Sequence, residues 1–453
     1  MCNATLLQPR NPPIIAPCIF ESHWESLKSI KYAVTDFRYW DSRIFRSVCN
    51  TRAWITQERW LAPRVLHFTF DQLLWECREL EAGETFPYGL TKEAQMQSSV
   101  GFKKACTEAP TEKSTRSADE TPIDDWRKLL LTYGRSEVTR KSDRLVAVAG
   151  IAARFSTILN DEWIAGLWRE TLPGNLLWSV EKVRRTNKPA EETAASFVAS
   201  HSLGIHRSHQ VHPSERLKGA RYQAPSWSWA SVLGDIVPGF DTEDGAEDSM
   251  IDVVGVELTP ADPEMPLGRL ASGTLRLRGT LYPMAIDPPD WHTRSKKRNY
   301  MGIPPTVYIT GLPKTKVAPL GLEWPEEYTK NPKYAHFLEG HSHTVHLIPD
   351  EPVKYLDLAR SKYLPIRKRI YDNPKSEYHG KHLISGLALL PTGKRGEYTR
   401  MGRIDFGDDK SKLFEDGVEV QRKGEEATGL KAHPPTMDEE FYVEGEIGTL
   451  TVV

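Results

Sequence analysis

Cysteine is scarce in this 453-residue chain: five are present, Cys2, Cys18, Cys49, Cys77 and Cys106, and no two are spaced as Cys-x-x-Cys. An odd, scattered set argues against a disulfide scaffold or a cysteine-based zinc site and fits a reducing compartment. No apolar run approaches membrane-spanning length, and the first residues lack a basic segment followed by an apolar core, so a soluble, cytoplasmic protein is expected. Neither sign of charge is in excess, since 59 Lys and Arg face 61 Asp and Glu for a formal charge of −2. That balance gives no field to attract nucleic acid, and neither nucleic acid nor membrane is an expected partner. A Gly-x-Ser-x-Gly elbow, a P-loop, a Gly-x-Gly-x-x-Gly fingerprint and a His-Glu-x-x-His pattern are all missing. The residues therefore make no positive case for hydrolysis or nucleotide transfer, and no cofactor is expected.

Tryptophan, by contrast, is plentiful and unevenly placed: eleven of thirteen lie before residue 230. The most specific segment is 224–231, Ala-Pro-Ser-Trp-Ser-Trp-Ala-Ser. Its period-two alternation predicts a strand with Trp227 and Trp229 on one face and Ser226, Ser228 and Ala230 on the other. Pro225, lacking an amide donor, suits the first residue of that strand or a sheet edge. Two indoles this close are expected to form a packed core strand, the alternative being a platform on which a ligand stacks.

Along the chain, residues 8–17 are Pro-rich and extended. Thr51 can cap a helix containing Trp54, Gln57 and Glu58, which Pro63 ends near Leu61. Within it, Gln57-Glu58-Arg59 offers a carboxylate for acid or base work, or an ion pair orienting the neighbouring strand. That strand, 64–69, alternates Val65 and His67 with Leu66 and Phe68, a pattern compatible with burial on both faces in a parallel α/β sheet. Residues 91–122 are polar and read as a mobile loop. Trp126, Leu129, Leu130 and Tyr133 recur at helical spacing up to Gly134, and Ser142 and Asp143 open a second helix striped by Leu145, Val148, Ala149, Ala152 and Phe155. Here Asp143 complements the helix dipole and Arg144 reads as a surface base. A third helix is expected over 161–172, stopped by Pro173 and Gly174. Acidic residues concentrate over 241–252 and read as a solvated linker. Beyond them short runs at 252–258, 274–281, 306–309, 344–348 and 382–390, separated by Pro and Gly, predict a β-rich domain, with 274–279 alternating as a half-wet antiparallel strand.

Two histidine clusters bear on metal binding. One is His201, His206, His209 and His212; the other is His336, His341, His343 and His346, where His341 and His343 share a strand face and could ligate one ion with a third group. Neither has a recognised spacing, and solvated histidine-rich loops have the same composition.

The octapeptide at 224–231 resembles the hallmark motif of fungal heterokaryon-incompatibility (HET) domain proteins. Residues 52–68, with Trp54, Gln57, Glu58, Arg59, Pro63 and Arg64, are similar to the block that closes the HET domain, and 72–78, with Trp75 and Cys77, continue it. Residues 142–152 (Asp143, Gly150), 165–169 (Trp168) and 176–179 resemble the region downstream, and 386–406 do so weakly. The early Leu-Ser-Tyr-x-Trp-Gly and Trp-Ile-Asp-x-Leu-Cys-Ile-x-Gln blocks of the family have no counterpart. The resemblance implies an α+β protein in which 1–70 is the C-terminal remnant of an N-terminally truncated, TIR-like α/β HET domain. A helical region over 71–232, closed by the 224–231 strand, an acidic linker over 233–252 and a β-rich domain over 253–453 follow. It implies non-self recognition and regulated cell death between fungal individuals; for this chain, without the early blocks, the expectation is a role exercised without catalysis through unidentified protein partners. A complete TIR-like domain would instead suggest NAD consumption or nucleotide binding. A shortened sheet would leave a strand edge open to pairing with another chain.

Overall fold

A computed structural model describes residues 18–22, 30–34, 39–40, 43–44, 47, 49–69, 71–90, 103, 122–134, 136–180, 215–216, 222–239, 246–287, 290–294, 301–303, 306–309, 318–319, 322–323, 345–350, 353–354, 360–370, 382–407 and 447–453. Helices and strands are both present, in the mixed α+β class expected from the sequence. The chain divides into two units: Met1–Asp161 with Val183–Gln210, and Glu162–Lys182 with Val211–Val453.

The first unit opens with a hairpin of β1 (Cys18–Ser22) and β2 (Ile30–Val34), where Phe20 stacks on Tyr32 across the strands. Helix α1 (Ala53–Leu61) stops two residues before Pro63, as the missing donor and ring of proline require. Its N-cap is Arg52, without a side-chain cap, so Thr51 does not fill that role; the Ala53 amide bonds instead to the Glu137 carbonyl. β3 (Arg64–Phe68), β4 (Leu73–Cys77) and β5 (Glu81–Gly83) form a three-stranded antiparallel sheet. This corrects the expectation of a parallel, doubly buried strand. A four-residue turn, Thr69 to Gln72, is enough to reverse the chain, and only one face of β3 is covered: Val65 and His67 are half-buried while Leu66 and Phe68 are 48% and 54% exposed. Tyr39, Trp40, Ile44, Leu74 and Leu90 form an apolar cluster beside the sheet.

Helix α2 (Pro122–Gly134) buries Trp126, Leu129, Leu130 and Tyr133, the stripe expected at helical spacing. Lys141–Asp143 is a separate 3-10 turn, and α3 (Val146–Leu159) follows, burying Ala147, Val148, Ile151, Ala152 and Phe155. Asp143 therefore stands outside the helix whose dipole it was expected to complement. Asn160 ends α3 in the left-handed conformation, a role its short polar side chain tolerates. Arg144, expected at the surface, is only 2% exposed. Its carbonyl accepts the Tyr133 hydroxyl at 2.5 Å, and burial lowers its pKa while raising that of Tyr133.

The second unit begins where a third helix was expected and has a hairpin instead: β6 (Trp163–Ile164) and β7 (Leu167–Trp168), antiparallel. Its two turn residues, Ala165 (φ 49°) and Gly166 (φ 104°), both have positive φ, the geometry that matches the twist of a tight hairpin and that helical periodicity does not anticipate. The Trp163 and Trp168 rings meet edge to face across it. Pro173 and Gly174 lie inside the short helix α4 (Leu172–Asn175) rather than after a long one. β8 (Ser179–Val180) pairs with Ile236–Val237. In the acidic stretch, Ala246–Ser249 pairs with Lys362–Ile370, whereas 240–245 lie outside the described residues.

From Asp252 onward every described regular element is a strand, and most join an 11-stranded sheet. Its central order is Asp252–Pro260, Leu270–Thr280, Ile447–Val452, Glu397–Gly407, His382–Pro391, Lys362–Ile370, Tyr282–Asp287, Thr306–Ile309. Leu270–Thr280 buries Leu275 and Leu277 and exposes Arg276 and Arg278, the expected one-sided alternation.

Candidate functional site

In the first unit the polar centre is Glu76, on β4 and fully buried. Its carboxylate receives Arg59 Nε at 2.7 Å, Lys103 Nζ at 2.7 Å and His67 Nε2 at 3.3 Å. Secondary structure sets this up. The pleat of β4 turns Glu76 to the same face as Val65, its partner in register on β3, and His67 stands two residues further along that strand. Arg59 comes from the last turn of α1, and Lys103 also donates to the Arg59 and Ala62 carbonyls, satisfying the end of that helix. Burial alone would raise the Glu76 pKa, yet Arg59, the His67 hydrogen bond and Lys103 together hold it well below the ordinary carboxylate range. Burial lowers the Lys103 pKa, partly offset by Glu76. With Arg59, Lys103 and His67 all directed at a fully buried carboxylate, this geometry is that of an ion pair locking helix to sheet.

The sequence-selected residues of this unit fall around that lock. Of the Gln57-Glu58-Arg59 triplet, Arg59 makes the ion pair, Gln57 Oε1 accepts the Gly150 amide at 3.2 Å, and Glu58 is exposed. Gly150 belongs there because a Cβ would stand 3.0 Å from Gln57 Oε1. Trp54 is 37% exposed, and Pro63 and Arg64 link α1 to β3. Trp75 lies opposite Leu66, and Cys77, free and half-buried, opposite Arg64. Burial would raise the Cys77 thiol pKa, but hydrogen bonds with the Glu79 and Leu80 backbone and with Trp75 outweigh it and lower the pKa. Asp143 is half-buried in its 3-10 turn.

In the second unit the 224–231 segment is not a strand. Residues 226–228 turn, and Trp229–Ser231 is one 3-10 turn capped by Ser228, whose Oγ accepts the Ala230 amide at 3.0 Å. The serines, expected only to fill the opposite face of a strand, make the difference, because each hydroxyl offers the backbone a partner that competes with a sheet ladder. Ser228 Oγ donates to the Ala165 carbonyl and Ser231 Oγ to the Ser228 carbonyl; Ser226 Oγ accepts the Arg400 amide and donates to the Val453 carbonyl. Pro225, Trp227 and Trp229 are all buried, both indoles completely. Trp229 Nε1 donates to the Gly166 carbonyl at 2.7 Å, and the Trp227 carbonyl accepts Trp178 Nε1 at 2.8 Å. The expected burial of the pair therefore holds although the strand does not, and neither ring has a face open for stacking. Trp168, fully buried in β7, belongs to the same unit.

Arg400, missed in the sequence, anchors this region. Its guanidinium carbon lies 3.6 Å from the Trp178 ring centre, it pairs with Asp350 through two nitrogens at 2.9 and 3.1 Å, and it donates to the Leu176 and Trp178 carbonyls. Both Arg400 and Asp350 are fully buried, with opposite charge and abundant acceptors to offset desolvation. No spacing signals this contact, since 50 residues separate the pair. Glu76 was accessible in principle: a lone acid in an otherwise apolar strand, Leu-Leu-Trp-Glu-Cys, preceded by an arginine on a helix.

Among the described residues no group of three or more His, Cys, Asp or Glu is placed to hold a metal ion. His201, His206, His209, His212, His336, His341 and His343 lie outside the described residues, and His346 is placed only as backbone, in Val345–Pro349. No described helix is long and apolar enough to cross a membrane. The chain matches no family model, no curated protein and no solved structure.

Proposed function

We propose that this is a HET-like protein of fungal non-self recognition, acting through protein contacts and without catalysis of its own, with residues 1–70 belonging to a TIR-like α/β domain. The observation that carries the reading is the agreement in order between the motif at 224–231 and the blocks around Arg59, Trp75 and Trp168. Support for the non-catalytic part comes from how the polar residues of those blocks are engaged. Arg59 is committed to Glu76, Gln57 to Gly150, and Ser226, Ser228 and Ser231 to backbone groups.

Expression of the chain in fusing fungal cells tests the biological role: vital-dye uptake should rise in fusions with incompatible strains and stay at background in self fusions. Equal uptake in both rejects the recognition reading. NAD turnover measured on the purified chain tests the second part. The expected result is no turnover above buffer, and a rate that scales with protein and stays with it through successive purification steps would replace the proposal with an NAD-consuming enzyme.

A further inference from the structure

The sheet of the first unit has an edge whose chemistry is self-complementary. Among the described strands β3 pairs only with β4, over five residues without a bulge. The alternation of an antiparallel ladder fixes where its remaining backbone groups point. Leu73 and Cys77 bond away from β3, to Glu84 and Leu80, which leaves Leu74 and Glu76 to bond His67 and Val65. The N–H and C=O groups of Arg64, Leu66 and Phe68 are thereby directed to the outer edge. Those same three residues form the exposed face of β3, and Trp75 and Leu73, opposite Leu66 and Phe68, extend that face across β4.

We propose that β3 pairs antiparallel with β3 of a second copy of this chain, about a two-fold axis at Leu66. In that register Leu66 meets Leu66, Arg64 meets Phe68, and Val65 meets His67. No like charges face each other, each arginine lies over an aromatic ring, and the apolar strip of Leu66, Phe68, Leu73 and Trp75 becomes continuous across both copies. A second copy fits better than an unrelated chain because one five-residue strand supplies both halves of the match, and a near-neutral protein imposes no long-range repulsion between copies. Edges meant to stay single carry bulges, outward charges or prolines along the strand; on its exposed face β3 has only Arg64 at its start, His67 being turned inward to Glu76. The pairing stands on geometry and is independent of the HET reading.

Sedimentation of the purified full chain tests it. The wild type should show a concentration-dependent monomer–dimer equilibrium. Leu66→Asp, which sets two carboxylates against each other on the axis, and Phe68→Asp should each weaken it roughly tenfold or more. Both side chains are exposed in the single chain, so melting temperature should be unchanged at concentrations where the wild type is monomeric. Leu66→Cys should cross-link into a dimer under mild oxidation beyond the wild-type background, since a hydrogen-bonded antiparallel pair sets Cα atoms about 5.5 Å apart, within disulfide reach. A wild type that stays monomeric at about 100 μM overturns the proposal and leaves the edge to a different protein. A dimer that survives both aspartates, or that fails to trap Leu66→Cys, overturns it by placing the contact elsewhere.

Discussion

Trp229 is held by a hydrogen bond and by the absence of a side chain. Its indole donates to the Gly166 carbonyl, and a Cβ on Gly166 would stand 2.6 Å from the same nitrogen. With φ at +104° as well, Gly166→Ala combines overpacking with backbone strain and should cost about 1–3 kcal/mol or more in urea unfolding. Trp227→Ala and Trp229→Ala remove fully buried rings and should each cost about 3–5 kcal/mol by the same measurement. Near-unchanged stability in both would return the pair to a binding role. Glu76 gives a pH signature. Its native pKa lies well below the ordinary value of 4.5, so the unfolded chain binds the extra proton first as the medium acidifies. The stabilisation is full above about pH 5 to 6 and is lost as pH falls through 4.5 toward the depressed native value. Glu76→Gln should flatten that acid limb of the stability profile and, by removing the carboxylate charge that balances buried Arg59 and Lys103, lower stability at neutral pH by about 3–5 kcal/mol.

Among elements, the helices and the strands were legible in different degrees. α2 and α3 followed from apolar stripes, because a helix burying one face repeats its contacts every three or four residues whatever it packs against. The hairpin at β6 and β7 was mistaken for a helix because its four strand residues are too few to show a period and its turn depends on positive φ at Ala165, a residue that gives no such signal. The contact of α1 with α3 rests on Gly150, which admits Gln57. Gly150→Leu should separate the two helices and lower the melting temperature, with a cost of about 1–3 kcal/mol, whereas Gly150→Ala displaces only the flexible Gln57 side chain and should cost less. The candidate site had a similar split: Arg59 and the paired tryptophans stood out in the sequence, while the partners that define their chemistry did not.

At the scale of a whole unit, long-range polar contacts do what periodicity cannot encode. In the second unit Arg400 joins the β-rich region to Leu176, Trp178 and Asp350, and Arg403 donates to the Leu177 carbonyl. Arg400→Ala would strand a buried carboxylate and leave carbonyls without their donor, so a loss of about 3–5 kcal/mol is expected, read as a shift of the chemical-denaturation midpoint. Arg400→Lys should recover little of it, because an ammonium reproduces neither the two-pronged pairing nor the stacking on Trp178.

The sequence by itself determined the mixed α+β class, the two long helices, the β-rich second half, the end of α1 at Pro63 and the burial of Trp227 and Trp229. Each of these rests on local physics: backbone restriction by proline, periodic burial along one element, and the large apolar surface of an indole. Only the tertiary structure decided that 224–231 turns instead of extending, that the sheet after α1 is antiparallel, that Arg144 is buried, and that Glu76 and Arg400 are the charged anchors of their units. Those outcomes depend on groups far apart in the chain, where a serine hydroxyl or a buried carboxylate finds its partner only once other elements have placed it.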